Sequence, residues 1–310
     1  MRENKKANIA NFNCTFGKDD EPMLYYFDKI ILPALKSGIR REIKGTKFFI
    51  DNVKVIESPR GDMVLTGLII KRTKLEIKSL YEEGKGVVKK NLRYDSDPYS
   101  TFVILLKNHR MAFVKNQNGS PDIRNFASTV SYTIKQYIRE YNINKEKDQK
   151  HPNINLNIVP IPFSNKINDQ IRNANKIKKL TIRLYPLNGD MPVGTLFAGM
   201  REELQELGSK TGNYTVNSPK NHEGVINLIS ETHGTVEPNM IIEDKYGNEK
   251  RLTSDSFTET LYLPLDDEND LEHNTQDILV NLDNKPELNQ TSAENSSIYL
   301  KMLDVIKLFL

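Results

Sequence analysis

The chain has 310 residues, 37% hydrophobic and 27% charged, which lies within the range of a folded protein large enough for two domains. The single cysteine excludes a disulfide framework and a cysteine zinc site. No apolar run approaches the ~20 residues of a membrane-spanning helix, and both observations favour a cytoplasmic protein. The net charge of +3 is the sum of +16 up to Arg183 and −13 after it, because 35 of the 44 Lys and Arg but only 19 of the 41 Asp and Glu precede Leu184. This uneven division predicts a polyanionic partner for the first half.

The first half of the sequence predicts two hairpins set between helices, from period-two apolar runs and turn residues. In chain order we expect a strand over Ala7–Phe16, a helix from Pro22 to Leu35, a hairpin of Lys47–Glu57 and Asp62–Arg72, a lysine-rich stretch over Lys74–Arg93, a hairpin of Thr101–Lys107 and Met111–Lys115, and a helix from Pro121, capped by Ser120, to Tyr141. The polar stretch Asn142–Pro152 then predicts a boundary between a basic domain, residues 1–145, and a second domain, residues 153–310.

The second half alternates between strands and helices. We expect a strand over Ile154–Ile161, a helix over Ser164–Lys178, a strand over Leu180–Tyr185, helices over Leu196–Leu207 and Glu223–Ser230, a hairpin of Val236–Glu243 and Lys250–Leu263, an acidic loop over Leu265–Ser296, and a helix over Ser297–Leu310. The whole pattern predicts an α+β fold with two lobes of mixed antiparallel sheets, packed helices and a C-terminal helix.

Four basic clusters are the candidate nucleic-acid contacts, because each phosphate neutralised by Lys or Arg releases a condensed cation. From them we select Arg40, Arg41 and Lys44; Lys71, Arg72 and Lys74; Lys89 and Lys90; and Lys166, Arg172, Lys176, Lys178 and Lys179. On the predicted helix, Arg172, Lys176 and Lys179 would share one face. A merely solvated lysine-rich surface is the alternative, and charge alone does not separate DNA from RNA.

The C-terminal helix carries an apolar stripe at helical spacing, formed by Tyr299, Met302, Leu303, Ile306 and Phe309. Such a stripe predicts either a homodimer interface or docking onto the chain's own core, because a broad apolar surface does not stay exposed. A non-catalytic assembly protein that uses this helix is therefore one functional hypothesis.

No catalytic residue, metal ligand or cofactor is predicted. His109 in a turn and His151 in a linker are expected to be surface residues. Glu243 and Lys245, after an apolar strand, would suit a metal-dependent nuclease, but a hairpin turn explains them as well. His233 beside Glu231 could form an acid–base pair, although a helix end is the commoner explanation.

The order of elements resembles that of the RexA-like phage exclusion proteins of bacterial phage defence. The resemblance lies in Phe48–Val53 with its return strand Val64–Ile70, in Pro98–Lys115 before a helix, and in Leu180–Tyr185 before the helix Leu196–Leu207. It implies DNA binding without sequence specificity, a homodimer, two lobes that move about a linker, and a role in abortive infection. It also allows a membrane-protein partner and implies no catalytic residue.

Overall fold

The structure, a computed structural model, describes residues 2–161, 165–187, 195–232, 235–253, 256, 260–266, 271–284 and 286–310. These residues form helices and two antiparallel sheets, with a helix near the C-terminus. The predicted α+β fold is confirmed.

The strands and helices, in chain order, have the following bounds. The strands are β1 (Arg2–Phe16), β2 (Glu21–Pro22), β3 (Arg41–Ile43), β4 (Thr46–Glu57), β5 (Met63–Glu82), β6 (Gly86–Ser96), β7 (Tyr99–Leu105), β8 (Arg110–Lys115), β9 (Ile154–Pro160), β10 (Lys176–Leu184), β11 (Gly212–Asn217), β12 (Glu237–Glu243), β13 (Glu249–Leu252) and β14 (Thr260–Asp266). The helices are α1 (Leu32–Lys36), α2 (Ile123–Tyr141), α3 (Asn165–Arg172), α4 (Thr195–Glu206), α5 (His222–Ser230), α6 (Leu271–Asp283), α7 (Pro286–Asn289) and α8 (Ala293–Lys307).

The larger sheet has the strand order β14-β1-β8-β7-β5-β4-β3, with β2 and β9 also paired to β1 and β6 paired to β5. Strand β1 pairs with β14 along its first half and with β9 along its second half, where Phe12 lies opposite Ile158. Both partners come from beyond residue 152. The sheet therefore does not follow the predicted division into residues 1–145 and 153–310, because the edge of β1 is completed by strands from the later part of the chain.

Helices cover both faces of this sheet. On one face, α2 places Phe126 within 4.9 Å of Phe102 and 5.5 Å of Phe113, measured between ring centroids, and α8 packs against the same core. The predicted helix from Pro22 begins instead with a 3-10 turn and a π turn before α1. Helix α2 is capped by Asp122, whose carboxylate accepts from the backbone N–H of Asn125, and not by Ser120.

On the other face, α6 buries Ile278, Leu279 and Leu282 against the sheet. The prediction of an acidic loop over Leu265–Ser296 is therefore wrong for the described part of that range, which contains α6, α7 and the first turn of α8. An amphipathic helix forms because its apolar residues recur on one side, whatever the charge of the other side. Asp267, Glu268 and Asp270 lie outside the described residues.

The smaller sheet has the order β11-β10-β12-β13, and α3, α4 and α5 cover one face through Ile171, Phe197 and Ile226. The predicted helix over Ser164–Lys178 is wrong at its end: α3 stops at Arg172 and β10 begins at Lys176. Between them the backbone N–H of Asn175 donates to the carbonyl of Glu243 at 2.8 Å, which starts the ladder with β12. The predicted strand Lys250–Leu263 is two strands, β13 in this sheet and β14 in the larger one.

No helix in the described ranges combines the length and the apolar character that crossing a membrane requires.

Candidate nucleic-acid interface

Six of the predicted contacts lie together where the larger sheet ends at β3. We call this group, Arg40, Arg41, Lys44, Lys71, Arg72 and Lys74, the edge patch. The ladder register aligns Arg41 with Phe48 and Phe48 with Lys71, and it aligns Lys47 with Arg72 one residue earlier on β4. Residues that are distant in sequence thus come together, because β3, β4 and β5 run side by side. Side chains alternate between the two faces along a strand, so Arg41 and Lys71 share the side of Phe48, and Arg72 and Lys74 lie on the other side.

Two phenylalanines fix the arginines of the edge patch. The guanidinium carbon of Arg40 lies 5.1 Å from the ring centroid of Phe49, and that of Arg72 lies 5.6 Å from the same centroid. Arg41 lies 6.0 Å from the centroid of Phe48. Both rings are buried, so they form rigid supports for the cations, which the negative face of an aromatic ring attracts.

Most cations of the edge patch have no carboxylate partner. Arg72 forms an ion pair with Asp97 at 2.8 Å, and its guanidinium, as hydrogen-bond donor, holds the pKa of Asp97 below its usual range. Lys71 donates to the carbonyl of Gly119 at 3.4 Å. Within the part of the chain that the structure describes, none of the remaining cations, Arg40, Arg41, Lys44, Lys71 and Lys74, has a carboxylate oxygen within 4.0 Å. An anion from solution would therefore meet no competing carboxylate at these five charges, and within the described ranges the Nη1 atom of Arg41 is buried without a hydrogen-bond partner.

The third predicted cluster lies on a two-stranded ribbon formed by residues 73–82 of β5 and residues 86–96 of β6. Lys90 forms an ion pair with Glu82 at 3.2 Å, whereas Lys89 has none among the described residues. The predicted lysine-rich stretch over Lys74–Arg93 is this ribbon, which continues from the edge patch along the same strand, β5.

The fourth predicted cluster lies on the smaller sheet, where some of its cations pair with glutamates from the acidic half while Lys176 and Lys179 have no ion pair among the described residues. Arg172 forms an ion pair with Glu223 at 2.6 Å, and Lys178 contacts Glu243 at 3.2 Å and Glu249 at 3.0 Å. The hydrogen bonds raise the pKa of both cations.

The expected helical face of that cluster does not exist. Lys176 and Lys179 lie on β10, beyond the end of α3, so they do not share a face with Arg172. The side chain of Lys166 lies outside the described residues. The fourth cluster is therefore not part of the edge patch.

Further cations that the sequence did not single out lie on α2, which contacts β3 and β4. Lys135 and Arg139, one turn apart, line an open cavity of about 460 Å³ together with Lys150, above a floor that includes Ile138 and Ile154. The lining includes no carboxylate. The i, i+4 spacing of these two cations on one helix is the sequence signal that could have identified them, because like charges so placed repel each other unless an anion or water screens them.

The proposed nuclease residues take part in ordinary turn and strand contacts. Glu243 accepts from Asn175 at 3.0 Å and pairs with Lys178, and these two donors lower its pKa. The carboxylate of Asp244 accepts from the backbone N–H groups of Tyr246 and Asn248, which is the hairpin-turn alternative. Among the described residues no three His, Cys, Asp or Glu side chains are grouped so as to hold a metal ion. His233 lies outside the described residues.

His109 is buried, and its prediction as a surface residue is wrong. Its side chain is 1% exposed, and its backbone has a positive φ of 58° in the turn between β7 and β8. Burial, together with the charge of Arg110, lowers the imidazole pKa to about 3, so the ring is neutral. Within the described residues neither ring nitrogen has a hydrogen-bond partner.

The stripe on the C-terminal helix packs within the chain. Tyr299 and Ile306 are buried in the same hydrophobic core as Phe126 of α2, and Met302, Leu303 and Phe309 pack against that core. The hydroxyl of Tyr299 accepts from the backbone N–H of Met63 at 2.7 Å. This is the intramolecular alternative, and a dimer interface built from the same residues would first require these contacts to break.

Comparison with known proteins assigns the chain to a family. No curated protein matches it. A family model described as a domain of unknown function, DUF4747, matches residues 5–281, which include nearly all of both sheets and most of α6. The chain therefore belongs to the DUF4747 family.

Proposed function

We propose that the chain binds DNA without sequence preference through the edge patch. The observation that carries the proposal is the set of five cations without carboxylate partners at one sheet edge, where Arg41 and Lys71 project to the side of Phe48 and Arg40 and Lys74 to the side of Phe49. Unpaired cations held close together attract a polyanion, because neutralising each phosphate releases a condensed counterion.

The geometry of a sheet edge suits a duplex backbone. Neighbouring strands lie about 4.8 Å apart, so cations on β3 and on β5 are separated by about 10 Å. This separation is comparable to the ~12 Å width of the major groove of B-DNA. Lys and Arg contacts to phosphate carry no sequence information, which is the basis for proposing binding without sequence preference.

The competing explanation is that the charges protect an exposed edge. Short edge strands with charged side chains prevent sheets from pairing with other chains, and β3 has only three residues. Edge protection predicts no affinity for DNA, so a binding experiment separates the two explanations.

The experiment is a titration of unrelated 20-base-pair duplexes with the full chain at several salt concentrations. If the five cations each contact a phosphate, the slope of log K against log salt is about −4.5, and affinity falls about 500-fold between 50 and 200 mM salt. Affinity that does not change with salt, or that depends strongly on sequence, would refute the proposal. A single-stranded RNA of equal length is the second arm; tighter binding to RNA than to the duplexes would contradict the choice of DNA.

We further propose, on the RexA-like resemblance, that this binding serves phage defence by abortive infection. The test is the efficiency of plating of a phage panel on cells that express the wild-type chain or a variant without the charges of the edge patch. Protection that persists in a variant with no DNA affinity would separate defence from DNA binding and refute this role.

A further inference from the structure

The ribbon formed by residues 73–82 and 86–96 has one largely apolar face, and an opposite face that is mainly charged but also carries the pair Leu80–Val88. Opposite residues in an antiparallel ladder point to the same side, and the register pairs Leu75 with Tyr94, Ile77 with Leu92 and Tyr81 with Val87. The intervening pairs, Lys74 with Asp95 and Glu76 with Arg93, point to the other side. A bulge opposite Lys78 keeps the alternation in phase along the ribbon.

The apolar face is exposed to solvent. Relative exposure is 56% for Leu75, 75% for Tyr81, 72% for Val87, 38% for Leu92 and 53% for Tyr94. Contiguous apolar patches of this kind mark interaction surfaces. An isolated two-stranded ribbon is also marginally stable in water, and needs a further hydrophobic layer to become firm. Both arguments call for a partner that covers this face.

The charges identify what kind of partner fits. Lys89 is the only charged residue in the ladder pairs of the apolar face, opposite Ser79, whereas the opposite face pairs Arg93 with Glu76 at 2.9 Å and Lys90 with Glu82. A nucleic acid requires cations on the surface that it meets, so it does not fit the apolar face. A surface of the same apolar character does.

We infer that the apolar face of the ribbon packs against the same face of a second copy of this chain. A two-fold contact uses one surface twice, and an apolar face with a single charge is complementary to itself. The five exposed side chains present on the order of 600 Å² per copy, or about 1,200 Å² for the pair, which reaches the lower end of standard protein interfaces.

The pairing has a structural consequence for the edge patch. Lys74 belongs both to the patch and to the first ladder pairs of the ribbon, so two paired ribbons join two edge patches in one particle. The inference itself does not depend on DNA binding, because it rests on the apolar face and can be tested without DNA.

The first test measures the mass of the full chain in solution by analytical ultracentrifugation, for the wild type and two matched double variants. Leu75→Thr with Tyr94→Thr removes one cross-strand pair from the apolar face. Glu76→Thr with Arg93→Thr removes the adjacent pair from the charged face and leaves the net charge unchanged. Threonine suits strands, and circular dichroism checks that both variants are folded.

We expect a dimer for the wild type and for the charged-face variant, and a monomer for the apolar-face variant. A wild-type chain that stays monomeric up to about 100 μM would overturn the inference. So would an apolar-face variant that remains dimeric. A monomeric wild type that binds phospholipid vesicles through the same two side chains would overturn it in favour of a lipid surface.

A second test uses the absence of accessible thiols. Cys14 is the single cysteine of the sequence, and it is fully buried with a raised pKa, so it is unreactive. Ile77→Cys places a thiol on the apolar face and Lys78→Cys places one on the opposite face. A short bismaleimide should cross-link Ile77→Cys into a covalent dimer and leave Lys78→Cys monomeric. Equal cross-linking of the two variants would contradict the face-to-face arrangement.

Discussion

Removing three of the unpaired cations should weaken DNA binding by an amount that the salt dependence reveals. Lys44, Lys71 and Lys74 have no carboxylate within 4.0 Å among the described residues, so their replacement by glutamine leaves no carboxylate unpaired. Each lost phosphate contact reduces the magnitude of the slope of log K against log salt by about 0.9, so the triple variant should have a slope of about −1.8 instead of about −4.5. At 0.1 M salt this difference corresponds to roughly 500-fold weaker binding, relative to affinities that converge at 1 M.

The assay is fluorescence anisotropy of a labelled duplex at five salt concentrations. The matched control replaces three cations of the smaller sheet, Arg172, Lys178 and Arg183, which form ion pairs with glutamates. It changes the net charge by the same amount, yet we expect its slope to stay near the wild-type value. The reasoning is refuted if the two triple variants lose affinity equally, because long-range net charge, and not the edge patch, would then govern binding.

Two further predictions concern the stability of the fold. His109 has an ordinary pKa of 6.5 and a folded-state pKa of about 3. As the pH falls below 6.5, only the unfolded chain therefore gains a proton on this residue. The free energy of unfolding should drop by about 2 kcal/mol between pH 7.5 and pH 5 because of His109. Urea unfolding of wild type and His109→Gln at both pH values isolates that difference, and an equal pH dependence in both proteins would contradict it. Tyr299→Phe should lower the free energy of unfolding by about 1–3 kcal/mol, because the buried N–H of Met63 loses its acceptor. The control, Tyr262→Phe at an exposed position, should leave the free energy of unfolding almost unchanged. Equal losses for the two variants in urea unfolding would argue against the hydrogen bond.

Local patterns in the sequence predicted many of the elements that the structure contains. The hairpins around residues 58–61 and 108–110, the helix ending at Tyr141 and the helix over Leu196–Leu207 follow from apolar period and turn residues, and the structure confirms them within a few positions. The α+β class follows from their order. These features depend on neighbours in sequence, which a reader of the sequence can see.

Three features that depend on long-range contacts were not predicted from the sequence. The pairing of β1 with β9 and β14 has no local signature, so the division of the chain after residue 145 was placed by composition alone. The helix expected to reach Lys178 ends at Arg172, because the residues from Lys176 onwards pair with β12 as the strand β10. The acidic composition of residues 265–296 hid the apolar spacing of Ile278, Leu279 and Leu282.

The candidate site was predicted in part, for a physical reason. Charge can be counted in the sequence, so the cations of the edge patch were selected, but the carboxylates that neutralise a cation come from distant segments. Arg172 and Lys178 were selected on the same grounds and are paired with Glu223, Glu243 and Glu249. The ribbon was missed because its lysines obscured the alternation of Leu75, Ile77 and their partners on β6.

The position of β1 has a consequence for how the protein is made. This strand leaves the ribosome before three of its partners, because β8 follows it by about 100 residues, β9 by about 140, and β14 by about 250. Ribosomes add about 5–20 residues per second, so β1, apart from its end beside β2, waits on the order of ten seconds or longer for its full set of partners. Sheets dominated by such distant pairings form slowly. A nascent chain of this design would depend on chaperones that shield β1 until β8, β9 and β14 have been synthesised.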